Sequence, residues 1–139
     1  MTSGYADAWS QLLTPMKELR AAWPARGWSW DSRLSCVSSS FAAELETNAR
    51  AAAKALTSEW TSTTIQRASP LLRDLAERTG GLRAGQKLLT SATVGSSFIY
   101  GLWWPWGDGM TTSMRVGLGG PDAGQDAFQR LRDTFGVQL

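Results

Sequence analysis

Apolar side chains in the first segment recur at Tyr5, Trp9, Leu12, Met16, Leu19 and Trp23, steps of 4, 3, 4, 3 and 4 residues that draw one stripe along a helix. The pattern predicts a helix over about 3–23. Pro15 falls inside it, and a proline removes an N–H and crowds the preceding turn, so a kink or a restart capped by Thr14 is expected. Pro24 ends the element. The stripe can close over the domain's own sheet or over a second copy of the chain. A two-layer domain needs that face covered, which favours the first.

Residues 24–37 mix Trp28, Trp30 and Leu34 with Gly27, Ser29, Asp31 and Ser32, and read as a loop leading into a short strand or a helix start. From Ser38 to Leu56 the spacing of Phe41, Leu45, Ala49, Ala52 and Leu56 predicts a second helix, with Ser38 to Ser40 as caps. Thr57 to Thr64 reads as a turn or weak helix start around Trp60. Ser69-Pro70 opens a third helix carrying Leu71, Leu72, Leu75 and Ala76, and Gly80-Gly81 closes it.

Beyond Gly85 the period changes. Leu88, Thr90, Ala92 and Val94 alternate, Gly95-Ser96 turns the chain, and Phe98–Trp106 and Met110–Leu118 read as two further strands. After Gly119-Gly120-Pro121, a last helix carries Phe128, Leu131 and Phe135 and stops at Gly136. Helices grouped ahead of strands predict an α+β fold. The expected architecture is N-terminal helices (about 3–80) packed on a three-stranded antiparallel β-meander (about 86–118), followed by a C-terminal helix (about 122–135), in a single domain over 1–139.

The Asp108-Gly109 pair marks a hairpin, and its loop length sets which face each residue occupies, because a one-residue slip exchanges the faces. A two-residue loop would pair Trp106 with Thr111, Trp104 with Ser113 and Leu102 with Arg115, mixing polarity on both faces. A three-residue loop, Gly107-Asp108-Gly109, pairs Trp106 with Met110, Leu102 with Met114 and Tyr100 with Val116. That second register separates polarity better. It predicts Phe98, Tyr100, Leu102, Trp104 and Trp106 against the helices, and Trp103, Pro105 and Arg115 on the outer face. The outer face would then be an aromatic-cationic patch, unless the 24–37 segment covers it with Trp28 and Trp30.

Composition narrows the chemistry. The 139 residues include eight tryptophans, one cysteine and no histidine. Without histidine, a Ser-His-Asp triad, a Cys-His pair and a histidine metal site are excluded. Cys36 alone forms no intrachain disulfide and no Cys-rich zinc site, and reads as a small buried hydrophobe. The net charge is +2, with 11 arginines against 3 lysines. Residues 61–90 carry a mild local excess of +3, which lacks the interleaved aromatics of a nucleic-acid stripe.

Two glycine-rich stretches fail as phosphate sites. In Gly80–Lys87, Gln86 separates Gly85 from Lys87 and a strand follows where a helix is needed. In Gly117–Asp122, an acidic residue stands where the phosphate would sit, outside any βαβ unit. The carboxylate pairs Glu44/Glu46 and Asp74/Glu77 do not announce a converging acid–base site. No leader pattern and no apolar run of about 20 residues is present, so a cytoplasmic address and no membrane span are expected.

These features predict a non-enzymatic, tryptophan-rich protein-binding module, such as an adaptor or accessory subunit. Catalytic, cofactor and metal residues are expected to be none. The partner would be another protein or a second copy, gripped by Trp103, Pro105, Arg115, Trp28 and Trp30, since Trp and Arg are typical interface anchors. Single-stranded nucleic acid stacking on the same sheet face, and an apolar ligand lined by Tyr100, Trp104 and Trp106, are the competing readings.

Overall fold

The computed structural model describes residues 7–25 and 27–138. Helix α1 (Ala8–Ala22) carries the predicted stripe, with Trp9, Leu12, Met16 and Leu19 buried and Leu13 beside them. Tyr5 lies outside the described residues. Asp7 caps the helix by accepting from the Trp9 N–H at 3.0 Å, and its carboxylate also pairs with Arg130 of the last helix. The helix continues through Pro15 as one element. Proline forfeits one backbone hydrogen bond there, and burial of the stripe on both sides outweighs the loss. The stripe closes over the chain's own sheet, in one cluster with Phe41, Trp103 and Met114.

The strands are β1 (Ser29–Asp31), β2 (Cys36–Ala42), β3 (Ser58–Trp60), β4 (Lys87–Thr90), β5 (Phe98–Pro105) and β6 (Thr111–Gly119). They form one six-stranded antiparallel sheet in the order β1-β2-β6-β5-β4-β3. The fold is α+β as expected, and the meander β4-β5-β6 is present. The expected count of three strands is too low, because the N-terminal half contributes three more.

The predicted helix over 38–56 accordingly divides. Its first part is β2, which pairs Val37 with Val116 and Phe41 with Thr112. A 3-10 turn (Ala43–Leu45) follows, and only Glu46–Ala52 is helical, as α2. The three serines read as caps lie within the strand. Their helix-compatible spacing is overridden by backbone pairing with β6, a partner more than seventy residues away. At the other end of the strand set, Ala92 and Val94 leave the ladder, and Val94 makes only an isolated bridge to Ser97.

Helix α3 (Pro70–Arg78) begins and ends as its sequence predicts. The Ser69 side chain accepts from the Leu72 N–H, Pro70 occupies the first turn, and the Gly81 N–H returns to the Ala76 carbonyl at 2.8 Å. Helix α4 (Gln125–Phe135) ends at Gly136, whose φ of 68° is left-handed.

Helices lie on both faces of the sheet. Val37, Phe41, Leu89, Ile99, Trp103, Met114 and Val116 pack with α1, α2 and α4. Leu88, Phe98, Tyr100 and Leu102 pack on the opposite side with Leu75 and Ala76 of α3. Every residue of β5 from Phe98 to Trp103 is therefore buried.

This double cover corrects the hairpin register. Trp103 pairs with Met114, Trp104 with Ser113 and Leu102 with Arg115, and the Trp106 N–H donates to the Thr111 carbonyl at 2.7 Å. Asp108 braces the loop by accepting from the N–H groups of Met110 at 2.8 Å and Thr111 at 3.0 Å. Segregation of polarity was the criterion for the three-residue loop. It fails here because a strand covered on both sides has no solvent face to keep polar.

Candidate functional site

Trp103, expected on the outer face, is 2% exposed in the main core, in ring contact with Phe41 at 5.0 Å between centroids. Trp104 takes its place beside Arg115. The outer site is built from alternate residues of four strands: Ser29 and Asp31 on β1, Ser38 and Ser40 on β2, Ser113 and Arg115 on β6, and Trp104 on β5. These positions share one face because side chains alternate with period two. Helix α3 covers the β4–β5 part of that face. Beyond it lies an open concavity of about 600 Å³ lined by serines, Arg115, Gln86 and the Trp104-Pro105-Trp106 run.

Arg115 organises the floor. Its Nε donates to Asp31 Oδ2 at 3.3 Å, reaching across β2, and Nη1 donates to Ser113 Oγ at 3.3 Å. Its guanidinium lies 4.7 Å from the Trp104 ring centroid. Partial burial of Asp31 opposes its charge. The Leu34 N–H, the Arg115 guanidinium and the Arg33 N–H together overcome that and hold its carboxyl below the ordinary 3.8. The Trp104 indole Nε1 is buried without an acceptor among the described residues.

At the hairpin end the surface turns apolar. Trp106 is 51% exposed and Met110 70% exposed, with exposed Pro105 beside them. Isolated exposed hydrophobes are common, but a tryptophan, a methionine and a proline grouped beside an Arg–Trp stack are an interface composition.

Trp28 and Trp30 lie on the opposite side of the sheet. Trp28 packs between Trp23 and Phe135, at 4.9 and 4.6 Å between centroids. Trp30 contacts Phe128, and the guanidinium of buried Arg132 sits 4.6 Å from its ring. They cover α4 and neither shield nor extend the Arg115 face. Of the five residues singled out in the sequence, the structure brings together Pro105 and Arg115. Trp104 and Trp106 were expected on the inward face, as lining for an apolar ligand, and Met110 and the four serines of this face were not singled out. The two-residue-loop register contained the signal for Trp104, since it places Trp104 and Arg115 on one face.

Cys36, opposite Asp31 on this same face, is fully buried, and burial pushes its thiol up to about 12. Among the described residues, no three of Cys, Asp and Glu come together as a metal site, and no helix is long and apolar enough to cross a membrane. Compared with known protein families, curated proteins and solved structures, the chain matches none.

Proposed function

We propose that this chain is a protein–protein interaction module that grips a partner protein at the β5–β6 hairpin end, as an adaptor or accessory subunit does. The observation that carries this reading is the exposure of Trp106 and Met110 beside Pro105 and the Trp104–Arg115 stack. Large apolar side chains left outside the core gain their burial from a partner. Electrostatics favours protein over nucleic acid. Asp31 pairs with Arg115, and among the described residues Arg115 is the one cation lining the concavity, a sparse charge for a phosphate backbone.

Placing a photo-reactive phenylalanine analogue at position 106, in the cells that make the protein, tests this directly. A discrete protein adduct is expected that a Met110→Ser, Arg115→Ala background reduces at least tenfold. Absence of any adduct, or an adduct indifferent to both substitutions, refutes the reading. Adducts to nucleic acid alone would transfer the surface to the single-strand reading.

A further inference from the structure

At the end of the sheet away from the hairpin, a second recess of about 470 Å³ opens between the β1–β2 turn, the last turn of α3 and the β6–α4 connection. Its lining comes from four stretches that are distant in sequence, around residues 33–35, 75–79, 100 and 118–128. Its size falls within the range of small-molecule pockets, roughly 300–1,000 Å³.

The lining mixes cationic, polar and apolar groups. Arg33 and Arg78 stand in it, and among the described residues no carboxylate lines it. Asp74 engages Arg78 through Nε at 3.0 Å, which leaves the terminal nitrogens of that guanidinium available. The Arg33 side chain stands in the lining beside it. Leu75, Leu118 and Phe128 supply the walls.

Tyr100 adds a directed donor. The residue is 4% exposed and lines the recess. Its ring lies across Gly117 of β6 so closely that a Cβ there would collide with it. A phenol hydroxyl at the wall of the recess can donate to a ligand oxygen entering it. Burial raises the Tyr100 pKa, so the phenol keeps its proton at neutral pH and donates.

We infer that this recess binds a small organic carboxylate with an apolar body, its oxygens held by Arg33, Arg78 and the Tyr100 hydroxyl and its hydrocarbon against Leu75, Leu118 and Phe128. A guanidinium matches a carboxylate's two oxygens in a fork, and the leucine and phenylalanine walls receive the hydrocarbon. This site shares no residue with the hairpin surface, so it stands or falls independently of the proposed function.

Octanoate and octanol are the probes, followed by amide NMR shifts and calorimetry on the full chain. Octanoate is expected to bind saturably at one site, shifting the amides of Thr79, Tyr100 and Gly119. Octanol should bind at least tenfold more weakly. Arg33→Gln with Arg78→Gln should weaken octanoate at least tenfold, and Tyr100→Phe, which keeps the ring packing, several-fold. Non-saturable binding, equal affinity for octanol, or full affinity in the double arginine variant with an unchanged melting temperature overturns the inference.

Discussion

Arg115 holds its guanidinium 4.7 Å from the Trp104 ring centroid while its Nε donates to Asp31 Oδ2 at 3.3 Å. One side chain thus ties β6 to the edge strand β1 across β2 and stiffens the floor of the hairpin site. The two partners' side chains are 20% and 18% exposed, between a surface pair and a buried one. Arg115→Ala is therefore expected to cost about 1–2 kcal/mol. Arg115→Lys should recover less than half of that, because an ammonium neither forks nor stacks as well. Urea unfolding checks this as a drop in midpoint with an unchanged slope.

Trp103 and Trp106 provide the sharpest test of the sheet register. Trp103 is 2% exposed in the core and Trp106 is 51% exposed at the hairpin. Trp103→Ala should destabilise the protein by ~3–5 kcal/mol through lost burial and a residual cavity. Trp106→Ala should stay within about 0.5 kcal/mol of the parent while weakening partner capture. Equal losses of stability from the two substitutions would contradict the observed faces.

Glycines in β5, in β6 and just beyond it differ in what they allow. A Cβ on Gly117 would run into the Tyr100 ring, and Gly117→Ala should cost about 1–3 kcal/mol by overpacking. Gly120 has a φ of 105° and faces the Ser96 carbonyl, so Gly120→Ala meets both a backbone penalty and an immovable atom. Gly101→Ala should be milder. The nearest atom to its Cβ, at 2.6 Å, is the terminal methyl of Met114, the end of a flexible chain. Thermal melts of the three variants should rank them Gly120, Gly117, Gly101 from most to least damaging.

Acid should unfold the protein partly through two carboxylates. Glu59 on β3 accepts from Arg50 at 2.8 Å and pairs with Lys87 at 3.4 Å, and the Arg50 hydrogen bond leads in holding its pKa below the ordinary 4.5. Asp31 is held below 3.8 despite partial burial. Both groups have lower pKa values folded than unfolded. Their contribution is therefore full above the unfolded values and is lost as pH falls through the folded ones. Stability measured by urea midpoint should be flat from about pH 7 to 5 and decline from about pH 5 to 2. Asp31→Asn and Glu59→Gln should each flatten part of that decline.

The sequence by itself determined the elements whose signals are local. The stripe in α1, the Ser69-Pro70 start of α3, the Gly80-Gly81 and Gly136 stops, and the meander of β4, β5 and β6 all follow from spacing, caps and turn residues within a few positions of each other. Pro105 and Arg115 were placed outward through a hairpin register that the structure corrects. Tertiary structure decided the rest. Strands β1, β2 and β3 are short and weakly patterned, and they exist because β6 and β4 offer backbone partners far along the chain. The choice between Trp103 and Trp104 rested on which face of β5 meets water. Helix α3, by covering the second face, removed the polarity contrast that would have revealed it.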